Sequence, residues 1–395
     1  MIEGSGVRSP RVRIMIDGRP TNLVECTVNV SRHARSDTFQ ATTPLAATGR
    51  SMAYWASVGP VDCVVQACND EDDGWVELLT GQLDRVAVRA DPRGGVRVEF
   101  AGRDKTAKLL DTRRTKRSPN KKSSAIVKDL AAKHGLKAEV DETDDDAGKQ
   151  HTEGTDHLVD NDTDWNTIAR LAEREGAFLY LKGDTIYFKQ PGNDAQGFDS
   201  YPIRFTPPSE DEPADGNVMD ITFVQNVHLN RGVKQTVRSF HTRKEKSICT
   251  TKQSDAAGFG DPLEWIDVLP GLTDSQVEKI AAKRQIEKQR HEMQVQIVMP
   301  GDVDLDPRRM LTLSGTDSAW DQDYHIDTIS HAFSPVDGYT MSIAAKNKKG
   351  GEGGQQNTGA GGGDDPDEAG SGTSETQGPN RPTNVPVPPS RSAGL

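Results

Sequence analysis

Nine histidines, sixty acidic side chains and four cysteines would be enough reactive groups for metal or hydrolytic chemistry. Their spacing does not assemble it. No His-Glu-x-x-His pair occurs, so no helix places two imidazoles and a general base on one face. Asp160, Asp162 and Asp164 have the first three spacings of a calcium loop. Trp165 stands where that loop needs glycine, and Leu171 where it needs a bidentate glutamate. Capping of the next helix by Asp162 or Thr163 is the expected use of these groups. Neither a Gly-x-Ser-x-Gly elbow nor a Walker phosphate loop is present. Cys26, Cys63, Cys68 and Cys249 lack metal or redox spacing and read as reduced core residues. Asp141 and Asp144 to Asp146 read as an exposed loop. A glycosidase-type carboxylate pair is a tertiary feature and stays open at this level. The sequence therefore names no catalytic residue, no metal ligand and no cofactor.

Two acidic residues are out of place instead. Asp84 and Asp327 stand among apolar residues on expected strands, where a carboxylate is disfavoured. Either they make a rim contact or inter-subunit hydrogen bond, or they satisfy a local turn. His331 lies on the same strand as Asp327 and reads as a strand residue rather than a ligand.

The elements around them follow from periodicity. Residues 1–110 read as short strands between turns: Val12, Ile14 and Ile16 alternate into Asp17-Gly18, a hairpin signal, and Val24, Cys26, Val28 and Val30 alternate on the return. Residues 111–200 read as an α+β insert. Ser123-Ser124 can cap a helix carrying Ile126, Val127, Leu130 and Ala131, and Thr163-Asp164 opens a second with Trp165, Ile168, Ala169 and Ala172 on one face. A hairpin around Gly183-Asp184 closes the insert. In 201–347 the strands return, Thr236 to Phe240 among them, interrupted by one helix behind the capping box Thr273-Asp-Ser-Gln276. From 348 to 395 the chain is Gly, Asp, Ser, Pro and Thr, a composition expected to stay disordered, with a Pro-Val-Pro-Pro segment suited to an extended docking strand. The fold class is thus β-rich α+β and multidomain: two small β-barrel domains, an α+β insert between them, and a disordered tail.

The net charge is −12 over 395 residues. The six acidic and two basic residues after Gly350 account for a third of it, so the body is acidic as well. That argues against specific duplex binding and suits a surface past which a polyanion slides. The basic run Arg113-Arg114-Thr-Lys116-Arg117 is expected in a loop before the next helix and reads as a solvated connector, or as a contact for an anionic partner. No secretory signal opens the sequence and no apolar run is long enough to span a membrane, so synthesis and assembly are expected in a cytoplasm.

An internal repeat ties the two β regions together. Shifted by 243 positions, Leu83–Asp104 lies without gaps on Ile326–Asn347. Asp84 then falls on Asp327, Pro92 on Pro335, Gly95 on Gly338 and Ala101 on Ala344, and the apolar register agrees: Leu83 with Ile326, Val86 with Ile329, Val98 with Met341, Phe100 with Ile343. Asp84, Gly95, Asp327 and Gly338 become the candidate interface or repeat positions. Two like lobes per chain let three chains present six lobes around one axis.

Several segments resemble the phage late control D proteins: Ser36-Asp-Thr-Phe39-Gln-Ala-Thr, Leu79-Thr-Gly81-Gln-Leu-Asp84-Arg-Val86, Gly102-Arg103-Asp104-Lys-Thr-Ala107-Lys-Leu109, and Asp164-Trp165 through Gly176. The resemblance continues through Leu313-Ser-Gly315-Thr, Trp320 to Asp327, and His331-Ala-Phe333, and spans roughly residues 8–347. That family includes baseplate hubs of Mu-like phages, tail-tip hubs and the N-terminal part of VgrG spikes. It implies a homotrimer whose barrels form a pseudo-six-fold ring under the tail tube, in a virion, with no enzymatic activity. The implied partners are tube or distal tail ring proteins, spike or baseplate proteins and the tape measure protein, with DNA passing through unbound. Nothing after residue 347 resembles a β-helical spike, so a spike would be a separate chain. A tail-borne cell-wall hydrolase, a host-surface binding module and the hub of a type VI-like injection machine are the alternatives.

Overall fold

The computed structural model describes residues 9–347, except 33, 71–73, 93–94, 117–120, 144–158, 191–198, 242–245, 255–260, 270–271 and 290. The expected tail at 348–395 and Asp144 to Asp146 lie outside the described residues.

The first lobe opens with β1 (Arg11–Ile16) and β2 (Arg19–Asn22), joined through Asp17 and Gly18 at φ 50° and 71°. Positive φ at both central residues is what an Asp-Gly hairpin turn supplies. Then come β3 (Glu25–Ser31), β4 (Thr38–Pro44), helix α1 (Met52–Ser57), β5 (Asp62–Cys68), β6 (Val76–Asp91) and β7 (Gly95–Asp104). Their spatial order is β2-β1-β5-β6-β7-β4-β3, every neighbour antiparallel. Alternate residues, among them Ile14, Val28, Phe39, Val65 and Phe100, meet in one core, which α1 seals with Trp55.

Helix α2 (Thr106–Leu110) leads into the insert, which comprises β8 (Arg113–Lys116), α3 (Ser123–Lys133), β9 (Lys137–Val140), β10 (Val159–Thr163), α4 (Asp164–Glu175), β11 (Phe178–Lys182) and β12 (Thr185–Lys189). The apolar faces of α3 and α4 pack with Leu109, Leu179, Ile186 and Phe188 into a second core. Two expectations change here. The start of the basic run is a strand, β8, paired antiparallel with β10, rather than a loop. The α3 serines do not cap it: Ser123 donates to Glu175 at 2.6 Å, and Ser124 to Glu142 at 3.2 Å. Both hydroxyls tie the helix start to other segments of the insert.

The second lobe holds β13 (Tyr201–Thr206), β14 (Asp215–Gly216), β15 (Asp220–Gln225), β16 (Val233–His241), β17 (Lys246–Gln253), β18 (Leu263–Val268), α5 (Asp274–Gln289), β19 (Met293–Pro300), β20 (Met310–Ser314), β21 (Asp323–Ser334) and β22 (Gly338–Asn347). The expected strand at Thr236–Phe240 does not join the lobe's sheet. It belongs to β16, which forms a three-stranded sheet with β17 and β18, packed on α5 through Val237, Ile248, Val277 and Ile280. The remaining strands are ordered β14-β13-β20-β21-β22-β19-β15. Ranked along the chain, this is the order of the first lobe, strand for strand. One pairing differs: β13 runs parallel to β20, whereas β1 runs antiparallel to β5.

The two lobes share one fourteen-stranded sheet. β21 makes the join. Its first residues pair with β20, while Thr328–Phe333 pair antiparallel with β3, from Thr328 opposite Ser31 to Phe333 opposite Cys26.

Candidate functional site

Every residue pair of the β6–β7 ladder recurs in the β21–β22 ladder at the same offset, from Gly81 opposite Asp104, matching Tyr324 opposite Asn347, to Asp91 opposite Gly95, matching Ser334 opposite Gly338. Both ladders slip at one place. The first shifts register between Leu83 and Arg85, the second between Ile326 and Thr328. Asp84 and Asp327 are therefore the extra residues of two equivalent β-bulges, which explains a carboxylate in an otherwise apolar stretch. A bulged residue leaves the alternation and can turn a polar side chain outward.

Each carboxylate meets a cation on the neighbouring strand. Arg103 donates to Asp84 through Nε at 2.6 Å and a terminal nitrogen at 3.0 Å, and reaches Asp111 at 3.2 and 3.3 Å. Lys346, which occupies the place of Arg103, stands 3.0 Å from Asp327. Burial opposes ionisation of Asp84, but the hydrogen bonds from Arg103 and Gln82 outweigh it and hold the carboxyl below its usual range. The bond to Asp84 in turn raises the Arg103 guanidinium further. Sequence reasoning singled out both acids and missed both cations, although Arg103 and Lys346 lie in the same shifted window.

Gly95 and Gly338 hold the matching hairpin ends at φ 82° and 70°, a conformation that favours glycine. Neither lies beside the bulge acids in the ladder, so the four positions do not form one cluster.

The other groups raised by the sequence have structural partners. The Thr163 hydroxyl accepts from the Asn166 N–H at 3.1 Å and caps α4, while Asp162 accepts from the Thr163 N–H and the Asn166 amide. Asp164 is buried 2.7 Å from His134. His331 sits on β21 against the Tyr339 hydroxyl at 2.8 Å, and burial pushes its pKa down to about 4. Asp104 is buried and Asp37 half-buried, the two joined where the Asp104 N–H donates to the Asp37 carbonyl at 2.9 Å. Burial and the mutual charge raise Asp37 well above the carboxylate range; burial raises Asp104 against the hydrogen bonds of Thr106 and Ser36. Cys26, Cys63 and Cys68 are buried as expected, but Cys249 is exposed on β17. Among the described residues no group of three or more His, Cys, Asp or Glu could hold a metal ion. What these residues assemble is a pair of like bulges, one on the long strand of each lobe, and the one on β21 lies in the strand that joins the two lobes.

A family model for the phage tail baseplate hub (GPD) matches residues 63–337. This chain belongs to that family. The hub chain has solved structural neighbours at low identity. The tail protein from Neisseria meningitidis MC58 superposes with a TM-score of 0.65 at 13% identity, over 86% of this chain and 97% of that one. The 43 kDa tail protein of prophage MuSo2 from Shewanella oneidensis gives 0.57 at 15%, over 85% and 96%. The E. coli c3393 protein, described as a type VI secretion system component with similarity to the T4 bacteriophage tail proteins gp27 and gp5, gives 0.54 at 12%, over 85% and 76%. At these identities the likeness is one of fold, and it agrees with the β-rich, two-lobed reading of the hub chain. No curated protein sequence matches it. Among the described residues no helix is long and apolar enough to cross a membrane.

Proposed function

We propose that the hub chain forms a homotrimeric ring of six lobes, which joins a six-fold tail tube to the tail-tip or baseplate spike and leaves an axial path for DNA. The observation that carries this reading is the identical strand order of the two lobes, joined in one sheet by β21 and β3. A chain that repeats one unit twice can match six-fold symmetry with three copies. The acidic body favours passage of DNA without binding. Division at residues 110 and 200 into barrel, insert and barrel is part of the same reading; each part centres on one apolar core, although Val303, Phe333 and Tyr339 pack into the core of the first lobe. So is the assignment of tube or distal ring proteins, spike or baseplate proteins and the tape measure protein as partners, in the virion at the tail tip.

Light scattering of the purified chain together with an averaged end-on image tests it. A trimeric mass and a six-lobed ring are expected; a monomer at every concentration, alone and with tube protein, overturns it. The role is structural, and purified chain is expected to leave a peptidoglycan zymogram uncleared. The fold likeness to a type VI secretion component favours one second reading, the hub of an injection machine, which neighbouring genes would separate from a phage tail.

A further inference from the structure

The junction inside the chain leaves two strand edges that have no counterpart for it. In the second lobe the outer half of β21, Thr328–Phe333, pairs with β3 of the first lobe. Its equivalent in the first lobe is the outer half of β6, Arg85–Ala90. There β6 pairs with β7 on one side, but β5 stops at Gln82, and among the described residues no strand covers the other side. The equivalent of β3 in the second lobe is β15. Among the described residues it pairs with β19 only.

The register of that equivalence is set by the ladders. Phe39 opposes Gly102 and Val295 opposes Ala345, so β4 lies on β19 with Gln40 on Gln296 and Pro44 on Pro300. Through β4 and β19, Glu25 lies on Asp220, Cys26 on Ile221, Thr27 on Thr222 and Val28 on Phe223. We infer that β15 and Asn226 of one copy pair antiparallel with Arg85–Ala90 of the next, with Arg85 opposite Asn226, Val88 opposite Phe223, Arg89 opposite Thr222 and Ala90 opposite Ile221. The inference rests on the ring reading and specifies its subunit junction.

Burial supports the same pairing from a separate direction. Ile329 and His331 are at most 2% exposed and Phe333 is 6% exposed, whereas Val86 and Val88 are only half-buried and Ala90 is exposed. Cys26 and Val28 are likewise closed off by the junction, while Ile221 and Phe223 are half-buried. Beyond β15, Val227 is 69% exposed; its equivalent, Arg32, is buried and its N–H donates to the Asp327 carbonyl at 3.1 Å. Each lobe thus carries one covered and one uncovered version of the same edge, each with an apolar row. An unpaired edge of this kind is a template for another strand, and the strand of matching shape is the one the chain already uses internally. The contact is head-to-tail, the class that generates rings when its rotation closes.

Disulfide trapping tests the register. Opposed residues in an antiparallel pair bring their Cβ atoms within disulfide reach, and Arg89 and Thr222 are exposed in the free chain, so cysteines there spare the fold. In a Cys249→Ser background, oxidised Arg89→Cys/Thr222→Cys protein is expected to run as covalent dimer and trimer on a non-reducing gel. Each single variant is expected to stay monomeric there, and the slipped pair Ala87→Cys/Thr222→Cys to cross-link about tenfold less. A trimer in solution that the first pair does not trap, or that the slipped pair traps better, overturns the register and leaves the ring standing. A chain that remains monomeric by mass and forms no cross-link overturns both.

Discussion

Asp84 and Asp327 occupy one structural position twice: each is the extra residue of a β-bulge, and each faces a cation on the next strand, Arg103 at 2.6 Å and Lys346 at 3.0 Å. At both places the long strand loses a partner within its own lobe. β21 pairs with β20 before the bulge and with β3 after it; β6 pairs with β5 before its bulge and with no described strand of this chain after it, apart from β7. An inserted residue bends a strand and raises its local twist. In β21 the bulge therefore turns the strand from an element of its own lobe into the edge that meets the other, and at both bulges the ion pair engages the polar group that the bend exposes.

Asp84→Ala removes the bidentate partner of Arg103 and leaves the longer contacts to Asp111. The pair is partly exposed, so the expected loss in a denaturant melt is about 1 kcal/mol. The Asp84 carboxyl is held low in the folded chain, so its contribution is present above the unfolded carboxyl range and fades as pH falls through the folded value. The difference between the two proteins should accordingly shrink on acidification below pH ~4. Trimer mass should not change, because both acceptor oxygens are used within the chain; a variant that keeps its melt but loses its assembly would assign the side chain to the subunit junction.

Gly102 and Ala345 are equivalent, and their cross-strand neighbours compensate: Phe39 opposes Gly102, whereas Val295 opposes Ala345. A Cβ on Gly102 would stand 2.2 Å from the Gln82 carbonyl oxygen and 2.6 Å from the Phe39 ring. Gly102→Ala should then cost about 2–3 kcal/mol by overpacking. Adding Phe39→Val, the pairing used in the second lobe, should recover part of that loss, a non-additivity that a double-mutant cycle in urea reads directly.

The repeat was legible in the sequence because the β6–β7 and β21–β22 hairpins keep their alternation, their turn glycines and their bulge acids at one offset. The bulges themselves were not legible. An aspartate among apolar residues says that the alternation is broken, and only the ladder says by one extra residue. The cations were hidden for another reason: Arg and Lys are common on exposed strand faces, so their recurrence carries weight only once the strands are paired. Short α1 escaped because it buries a single residue, Trp55. Thr236–Phe240 of β16 read as a barrel strand because alternation does not state which sheet a strand joins; α5, packed on one face of β16 and β17, decides that.

Cys249 is the one exposed cysteine of the four, all of which are described. Burial pushes the Cys26 and Cys63 thiols up to about 12, which keeps them protonated as well as inaccessible. Thiolate is the nucleophile, so native protein should take up one equivalent of a thiol reagent rapidly and the other three only on unfolding. Cys249→Ser should remove the rapid phase. Fast labelling of more than one thiol would mean that the first lobe opens on that timescale.

His331 takes the place of Val88 in the repeat, so the second lobe has buried an imidazole where the first has a methyl-bearing side chain. Burial lowers its pKa to about 4, partly offset by Asp302. In the unfolded chain the same group titrates near ~6.5. Between those values the unfolded state binds a proton that the folded state refuses, so this group's contribution to stability falls as pH drops from ~6.5 towards 4, by up to about 3 kcal/mol. Asp37 and Asp104 work in the opposite direction, since their raised folded values make the folded chain the better proton acceptor. A single protein's pH profile therefore mixes the two. His331→Val combined with Tyr339→Phe removes the imidazole together with the hydroxyl that bonds to it, so neither is left without the other. Both proteins retain the same aspartates, so subtracting their urea-melt profiles isolates the histidine: the double variant should gain on the parent steadily between pH 6.5 and 4, and a difference that stays flat across that window would mean His331 is protonated inside the fold.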